Sequence, residues 1–300
     1  MSVLRRSKAR ILLVVLMTGL LALTGCSTSR AGASAAGRSA ASRSTHAATP
    51  SAAPDPGPSA TPTGALPVSP STRWKVVALG DSVPAGAACH CTPFPTDYAH
   101  DLSNVRGIPT TAQNLAVDGS NSSDLLSALR DGGSATARAV TAADIDLVTI
   151  GANDFSDQHR SVTTGACGGA CLTKHVATMK ANLAGILVQV HRLRAGRPTA
   201  VLVTGYWNVF EDGKVARQAF AARGVRATRQ LTALVNDAIS DVANAHGATY
   251  VDLVEPFNGP AAKGDITHLL AADGNHPSSA GQQLIAKRLV AAGLRGLVHG

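Results

Sequence analysis

The sequence lacks an apolar run long enough to cross a membrane comfortably. Its longest, Ile11 to Leu23, falls short of the about 20 apolar residues a spanning helix needs. It also lacks a basic run interleaved with aromatics, which argues against nucleic acid as a partner despite a net charge of +8. That charge is unevenly spread. Of 27 Lys and Arg and 19 Asp and Glu, seven basic residues and one acidic residue precede Ser71, leaving 20 against 18, a near balance. There is no internal repeat and no sign of a second folded domain. Aromatic residues are scarce, with 2 Trp, 3 Tyr and 5 Phe, so their positions carry information.

Residues 1–25 have the layout of an export signal: Arg5, Arg6, Lys8 and Arg10, then the short apolar core. The core ends in Leu23-Thr24-Gly25-Cys26, which resembles a bacterial lipobox and implies cleavage before Cys26 and lipid on its thiol. The expected location is extracytoplasmic, as a membrane-anchored lipoprotein, or secreted if Cys26 is incidental. Residues 26–72 are almost wholly Ala, Ser, Thr, Gly and Pro without apolar periodicity. Such a segment buries too little surface to offset its ordering entropy and reads as a disordered tether. Residues 73–300 remain for one folded domain with a substantial core.

Four further cysteines, Cys89, Cys91, Cys167 and Cys171, read as disulfide candidates in an exported protein. Pairing across one residue is tight. This favours a bridge between the two loops, with a short Cys167–Cys171 bridge left open. Zinc held by these thiols with His90 is the rival reading, weakened by the oxidising compartment and irregular spacing.

Five short apolar runs recur in the domain: Val76–Leu79, Ala112–Val117, Ile145–Ile150, Ala200–Thr204 and Thr249–Val254. Several are near-continuous Val, Leu and Ile, as in parallel strands covered on both faces. The segments between them have helical period. Val176, Met179, Leu183, Ile186, Leu187 and Val190 form one stripe, and Leu231, Leu234, Val235, Ala238, Ile239 and Val242 another. A last helix is predicted from a cap at Ser279, with Gln282 three residues on, to about Ala292. The alternation predicts an α/β domain, a three-layer α/β/α sandwich with right-handed crossovers.

Each of the first four strands runs into a polar turn. The turns are Gly80-Asp81-Ser82, Asp118-Gly119-Ser120-Asn121, Gly151-Ala152-Asn153-Asp154-Phe155 and Gly205-Tyr206-Trp207-Asn208, and Asp273-Gly274-Asn275-His276-Pro277 precedes the last helix. In a parallel sheet the strand exits share one edge, so these turns converge. A serine hydroxyl needs a base to become a nucleophile. His276 is the candidate base for Ser82, with Asp273 three residues earlier able to reach its Nδ1–H. The backbone N–H groups of Ser82 and Gly119 and the amide of Asn153 are candidate oxyanion donors. Asp265-Ile266-Thr267-His268 repeats the Asp-x-x-His spacing but reads as a substrate loop or a helix start.

Taken in order, Gly80-Asp81-Ser82, Gly119, Gly151-Ala152-Asn153-Asp154 and Asp273-x-x-His276-Pro277 resemble the blocks of the SGNH (GDSL) hydrolases across residues 75–293. The resemblance implies a flavodoxin-like five-stranded parallel sheet of order 2-1-3-4-5 and an esterase or lipase that needs no metal or other cofactor. It implies Ser82 as nucleophile, His276 as base, Asp273 as its partner, and Gly119 and Asn153 as oxyanion donors. Asp81 and Asp154 read as loop-ordering residues. The Gly-x-Ser-x-Gly elbow of α/β-hydrolases is absent around Ser82. The expected partner is an acyl ester, with the membrane reached through Cys26. Phe155, Tyr206, Trp207 and Phe210 lie in or beside the exit loops and are candidates for an apolar substrate wall. Two other readings use the same sequence: an acetylesterase or acyltransferase on cell-wall or plant polysaccharide, and a non-catalytic envelope binding protein. The full set of chemical residues argues against the last.

Overall fold

The computed structural model describes residues 73–208, 210–262 and 264–297. The export signal over 1–25, the tether over 26–72 and the lipidation site Cys26 lie outside the described residues. The strands are β1 (Trp74–Gly80), β2 (Thr110–Asn114), β3 (Ile145–Thr149), β4 (Ala200–Thr204) and β5 (Thr249–Val251). The helices are α1 (Ser82–Ala85), α2 (Phe94–Arg106), α3 (Ser122–Arg130), α4 (Ala135–Ala142) and α5 (His159–Thr163), then α6 (Thr173–Arg194), α7 (Gly213–Ala219), α8 (Ala222–Ala245), α9 (Val254–Asn258) and α10 (Ser279–Ala292). All strand pairs are parallel, and the sheet order is β2-β1-β3-β4-β5, as the family resemblance implies.

This order determines the layers. The step from β1 to β2 runs opposite to the three steps that follow. Right-handed crossovers therefore put the first connection on one face and the later ones on the other. Accordingly α2 packs on β2 and against α10, while α3, α4, α6 and α8 form a contiguous layer centred on α6. Every residue of β3 and β4 is buried, and β1 is buried except at Lys75, because both faces of the central strands are covered. The α6 stripe packs against the sheet with Met179, Leu183, Ile186, Leu187 and Val190 fully buried. On α8, Leu234 departs from its expected stripe and is 37 % exposed.

Three boundaries differ from expectation, each for a local reason. β2 lies two residues earlier than the apolar run and is a polar edge strand, Thr-Thr-Ala-Gln-Asn. The run itself still follows β1, with Leu115 N–H donating to Ala78 O and Val117 N–H to Gly80 O. β5 stops at Val251 because the Asp252 carboxylate accepts from the N–H groups of Val254 and Glu255 and starts α9. The cap of α10 is Ser278, not Ser279; its hydroxyl accepts from Gly281 N–H at 3.3 Å. Gln282 therefore takes no part in a capping box.

The cysteines pair locally, Cys89 with Cys91 and Cys167 with Cys171, at Cα separations of 5.1 and 5.9 Å. This corrects the expected bridge between loops. Ala88 and His90 both adopt positive φ, 57° and 50°, and this folds the chain tightly enough to bring Cys89 and Cys91 together. With all four sulfurs in disulfides, no thiolate is left here for a metal.

Candidate active site

Ser82 is the first residue of α1, a single turn at the end of β1. Gly80 allows this placement. Its φ is +140°, and a Cβ there would lie 1.8 Å from the Thr149 carbonyl oxygen of the neighbouring strand. That same oxygen accepts from Asp81 N–H at 3.0 Å. Asp81 is fully buried and caps α1, its Oδ1 accepting from Val83 N–H at 3.0 Å. Its Oδ2 accepts from the Tyr206 hydroxyl at 2.5 Å. Burial pushes the Asp81 carboxyl up to about 6, against the lowering effects of the Tyr206 and Val83 bonds and of the nearby His276 charge. Asp81 thus orders the turn, as its sequence context suggests.

His276 sits in the turn before α10. Its Nδ1 lies 2.7 Å from Asp273 Oδ2, while Asp273 Oδ1 accepts from the N–H groups of Asn275 and His276 at 2.9 and 3.0 Å. Partial burial acts to raise the Asp273 carboxyl, but the bonds from the His276 ring and the two N–H groups outweigh it, and the net direction is down. The aspartate is therefore held as the anion that a histidine Nδ1–H requires. The turn is braced by Ala271 N–H donating to His276 O at 2.8 Å and Ser278 N–H to Leu269 O at 2.8 Å.

One buried side chain ties this turn to the Ser82 turn. Gln282, fully buried on α10, donates from Nε2 to Val83 O at 3.1 Å and accepts at Oε1 from Phe94 N–H at 2.8 Å. The residue after the serine is thus tied to the helix that follows the histidine. Among the described residues no hydrogen bond joins Ser82 Oγ to the His276 ring. Such contacts commonly tighten only with substrate in place.

Gly119 and Asn153 also meet. Asn153 Nδ2 donates to Ser120 O at 2.9 Å, leaving its second N–H for another acceptor, and both residues line one cleft of about 400 Å³. Gly119 has φ +78°, a conformation that glycine adopts without strain. Asp154 holds this arrangement by accepting from Ser122 N–H at 2.9 Å and from the Ser122 hydroxyl. Burial raises the Asp154 carboxyl, and the Ser122 bonds oppose the rise.

The second Asp-x-x-His does not form a pair. Asp265 instead accepts from Thr267 N–H and its hydroxyl, and pairs with Arg217 at 3.0 Å. These bonds, the Thr267 side chain first, lower its carboxyl to about 2. The aromatics expected as a substrate wall are packed inside: Phe155, Tyr206, Trp207 and Phe210 are 0 to 5 % exposed. Trp207 stacks on Phe257 at 4.5 Å, and Phe210 meets Phe155 edge-on at 6.4 Å. They form a floor beneath the exit loops. Tyr206 does more, because its oxygen also accepts from Ala152 N–H at 3.4 Å and so joins the Ser82 turn to the Asn153 turn. Neither Tyr206 nor Gln282 stood out in the sequence as a positioning residue. A polar group within an otherwise apolar exit or helix face was the available signal.

A family model described as the GDSL-like lipase/acylhydrolase family matches residues 78–284. A search of curated protein sequences finds no match. Among solved structures, the lipase Lip_vut3 from a goat rumen metagenome has a TM-score of 0.63 at 19% identity, covering 75% of this chain and 100% of that one. Axe2, an acetylxylan esterase from Geobacillus stearothermophilus, gives 0.53 at 15% identity, covering 76% and 97%. The extracellular lipase from Streptomyces rimosus gives 0.51 at 20% identity, covering 73% and 99%. At these identities the likeness is one of fold.

Proposed function

The chain belongs to the GDSL-like lipase/acylhydrolase family and is a carboxylic ester hydrolase, and from this premise we propose that it works through a Ser82–His276–Asp273 triad and an acyl-enzyme. The observation that carries the reading is the 2.7 Å contact of His276 Nδ1 with Asp273 Oδ2, on a turn tied through Gln282 to the residue after Ser82. That contact fixes the tautomer whose Nε2 accepts the serine proton. Ser82 Oγ attacks the ester carbonyl as His276 takes its proton. The resulting oxyanion is held by the N–H groups of Ser82 and Gly119 and the Asn153 amide. His276 then gives its proton to the leaving alcohol. A water, deprotonated by the same ring, attacks the acyl-enzyme and releases the acid with Ser82 restored. Attachment through a lipid on Cys26 completes the proposal, and mass spectrometry of the mature N-terminus tests it.

The triad is tested by substitution, assayed on p-nitrophenyl acetate with folding checked by circular dichroism. Ser82→Ala and His276→Ala should each lower kcat by about 10⁶ with the fold intact, and a fluorophosphonate should label Ser82 in the parent only. His268→Ala should keep activity. Activity lost with His268 and kept without His276 would overturn the assignment.

A further inference from the structure

Two clefts of different chemistry meet at Gly119. One, of about 310 Å³, has an apolar wall of Leu115, Val117, Leu125 and Ala128, shares its lining with Asp118, Asp124 and two hydroxyl side chains, and reaches Gly80. Val117 there is a large apolar side chain left 62 % exposed. The other, of about 400 Å³, contains Gly119 and Asn153, and every side chain that lines it is polar. Its wall includes Ser123, Asp157, Thr178 and Asn182. Hydroxyls, amides and carboxylates alternate there without a Lys or Arg.

On the triad reading above, Gly119 N–H holds the carbonyl oxygen of the bound ester, so the two halves of the substrate diverge from this point. We infer that the acyl half is short and lies in the apolar cleft, while the alcohol half is a neutral, polyhydroxylated group, a sugar, in the polar one. A hydrocarbon tail in the polar cleft would strip water from these groups and return no hydrogen bond. A sugar ring both donates and accepts, and so does this lining. Asn182 donates one Nδ2 hydrogen to Ser122 Oγ at 3.0 Å and keeps its second N–H and its carbonyl oxygen for a ligand that both accepts and donates. Asp154 and Asp157, with no cation beside them on the lining, repel a phosphorylated alcohol and so disfavour phospholipid headgroups. The apolar cleft lies at the low end of the ~300–1,000 Å³ usual for small-molecule sites, which suits an acyl group of a few carbons.

The test compares esters that differ in one half at a time: 6-O-acetylglucose, cyclohexylmethyl acetate and 6-O-palmitoylglucose, with acid release followed by pH-stat. Acetylglucose and cyclohexylmethyl acetate share the acyl group and a ring on a primary alcohol, but only the first carries hydroxyls. The full chain should favour acetylglucose in kcat/KM by about tenfold or more, and the palmitoyl ester should be the poorer glucose ester. The double variant Asp157→Leu, Thr178→Leu changes two exposed side chains and should bring the acetylglucose to cyclohexylmethyl acetate ratio down toward one. Equal or better turnover of cyclohexylmethyl acetate, preference for palmitoylglucose, or an unchanged ratio in the variant would each overturn the inference while leaving the hydrolase reading in place. If no ester is turned over and Ser82 is not labelled by a fluorophosphonate, both fall together.

Discussion

Asp146 offers a sharp quantitative prediction about this fold. It is the second residue of β3, between Val77 of β1 and Val201 of β4. It is fully buried, and neither carboxylate oxygen has a hydrogen-bond partner among the described residues. Burial raises its carboxyl from the ordinary 3.8 to about 8, with Arg194 pulling down and Asp144 pushing up more weakly. In the folded protein the side chain therefore holds its proton across the range in which the unfolded chain has released it. A raised carboxyl contributes stability that is complete below pH 3.8 and is lost as the pH climbs toward 8. Within that window the difference is one proton, so stability falls by about 1.4 kcal/mol per pH unit. Asp146→Asn is close in shape and does not titrate. Urea unfolding of parent and variant at pH 5, 6, 7 and 8 isolates the contribution, because Asp81 and the other groups common to both cancel. The variant should gain on the parent by about 4 kcal/mol between pH 5 and pH 8. Parallel stability curves over that range would refute the argument and mean that water or Arg194 stabilises the Asp146 anion in place.

Three more predictions follow from buried polar contacts and loop lengths. Gln282→Leu orphans Val83 O and Phe94 N–H; it should cost about 2–6 kcal/mol at about 1–3 per buried orphan in urea unfolding, and lower kcat on p-nitrophenyl acetate more than it changes KM. Tyr206→Phe keeps the packed ring but leaves Asp81 Oδ2 without its 2.5 Å donor. A stability loss of about 1–3 kcal/mol and a lower kcat are expected, whereas unchanged unfolding and kinetics would mean the contact carries nothing. The disulfides close loops with sequence separations of only 2 and 4, so Cys167→Ser with Cys171→Ser should cost about 2 kcal/mol by chain entropy, a modest Tm shift in calorimetry. Collapse of the fold would contradict that.

What could be read from the sequence was what depends on neighbours along the chain. β1, β3 and β4 show as Val, Leu and Ile runs because both faces are covered. β2 does not, because Thr-Thr-Ala-Gln-Asn is an edge strand whose pairing is carried by the backbone, independent of side-chain type. The Asp273–His276 pair is three residues apart and so was visible as spacing. The same spacing at Asp265 and His268 reads in the sequence as a loop or helix start, and the Thr267 and Arg217 bonds occupy that carboxylate. The Cys89–Cys91 pairing rests on positive φ at Ala88 and His90, backbone geometry that the local sequence does not announce, whereas the Cys167–Cys171 bridge was an open reading. Tyr206 and Gln282 meet their partners across 125 and 199 residues, beyond any local pattern. The scarce aromatics at the exits drew attention for the right place and the wrong role, since their burial makes them support for the loops.

Asp81 and Asp146 show why polar burial has to be judged by its partners. Both are buried carboxyls on or beside central strands, and both are raised by desolvation. Asp81 lies at the exit end of the sheet, where its two oxygens tie the Ser82 turn to Tyr206 and to the start of α1. With Gly80 pressed against Thr149 and Val83 held by Gln282, the turn is fixed from several directions, and the serine side chain is the polar group left to reach a substrate. Rigidity of this kind places a nucleophile without closure of a lid. Asp146 lies at the entry end of β3 and has no such bonds. Its burial costs stability near neutral pH, and its position in the sheet gives it no route to the reacting atoms. Removing it should therefore leave turnover untouched, whereas removing Asp81 would loosen the turn on which Ser82 stands.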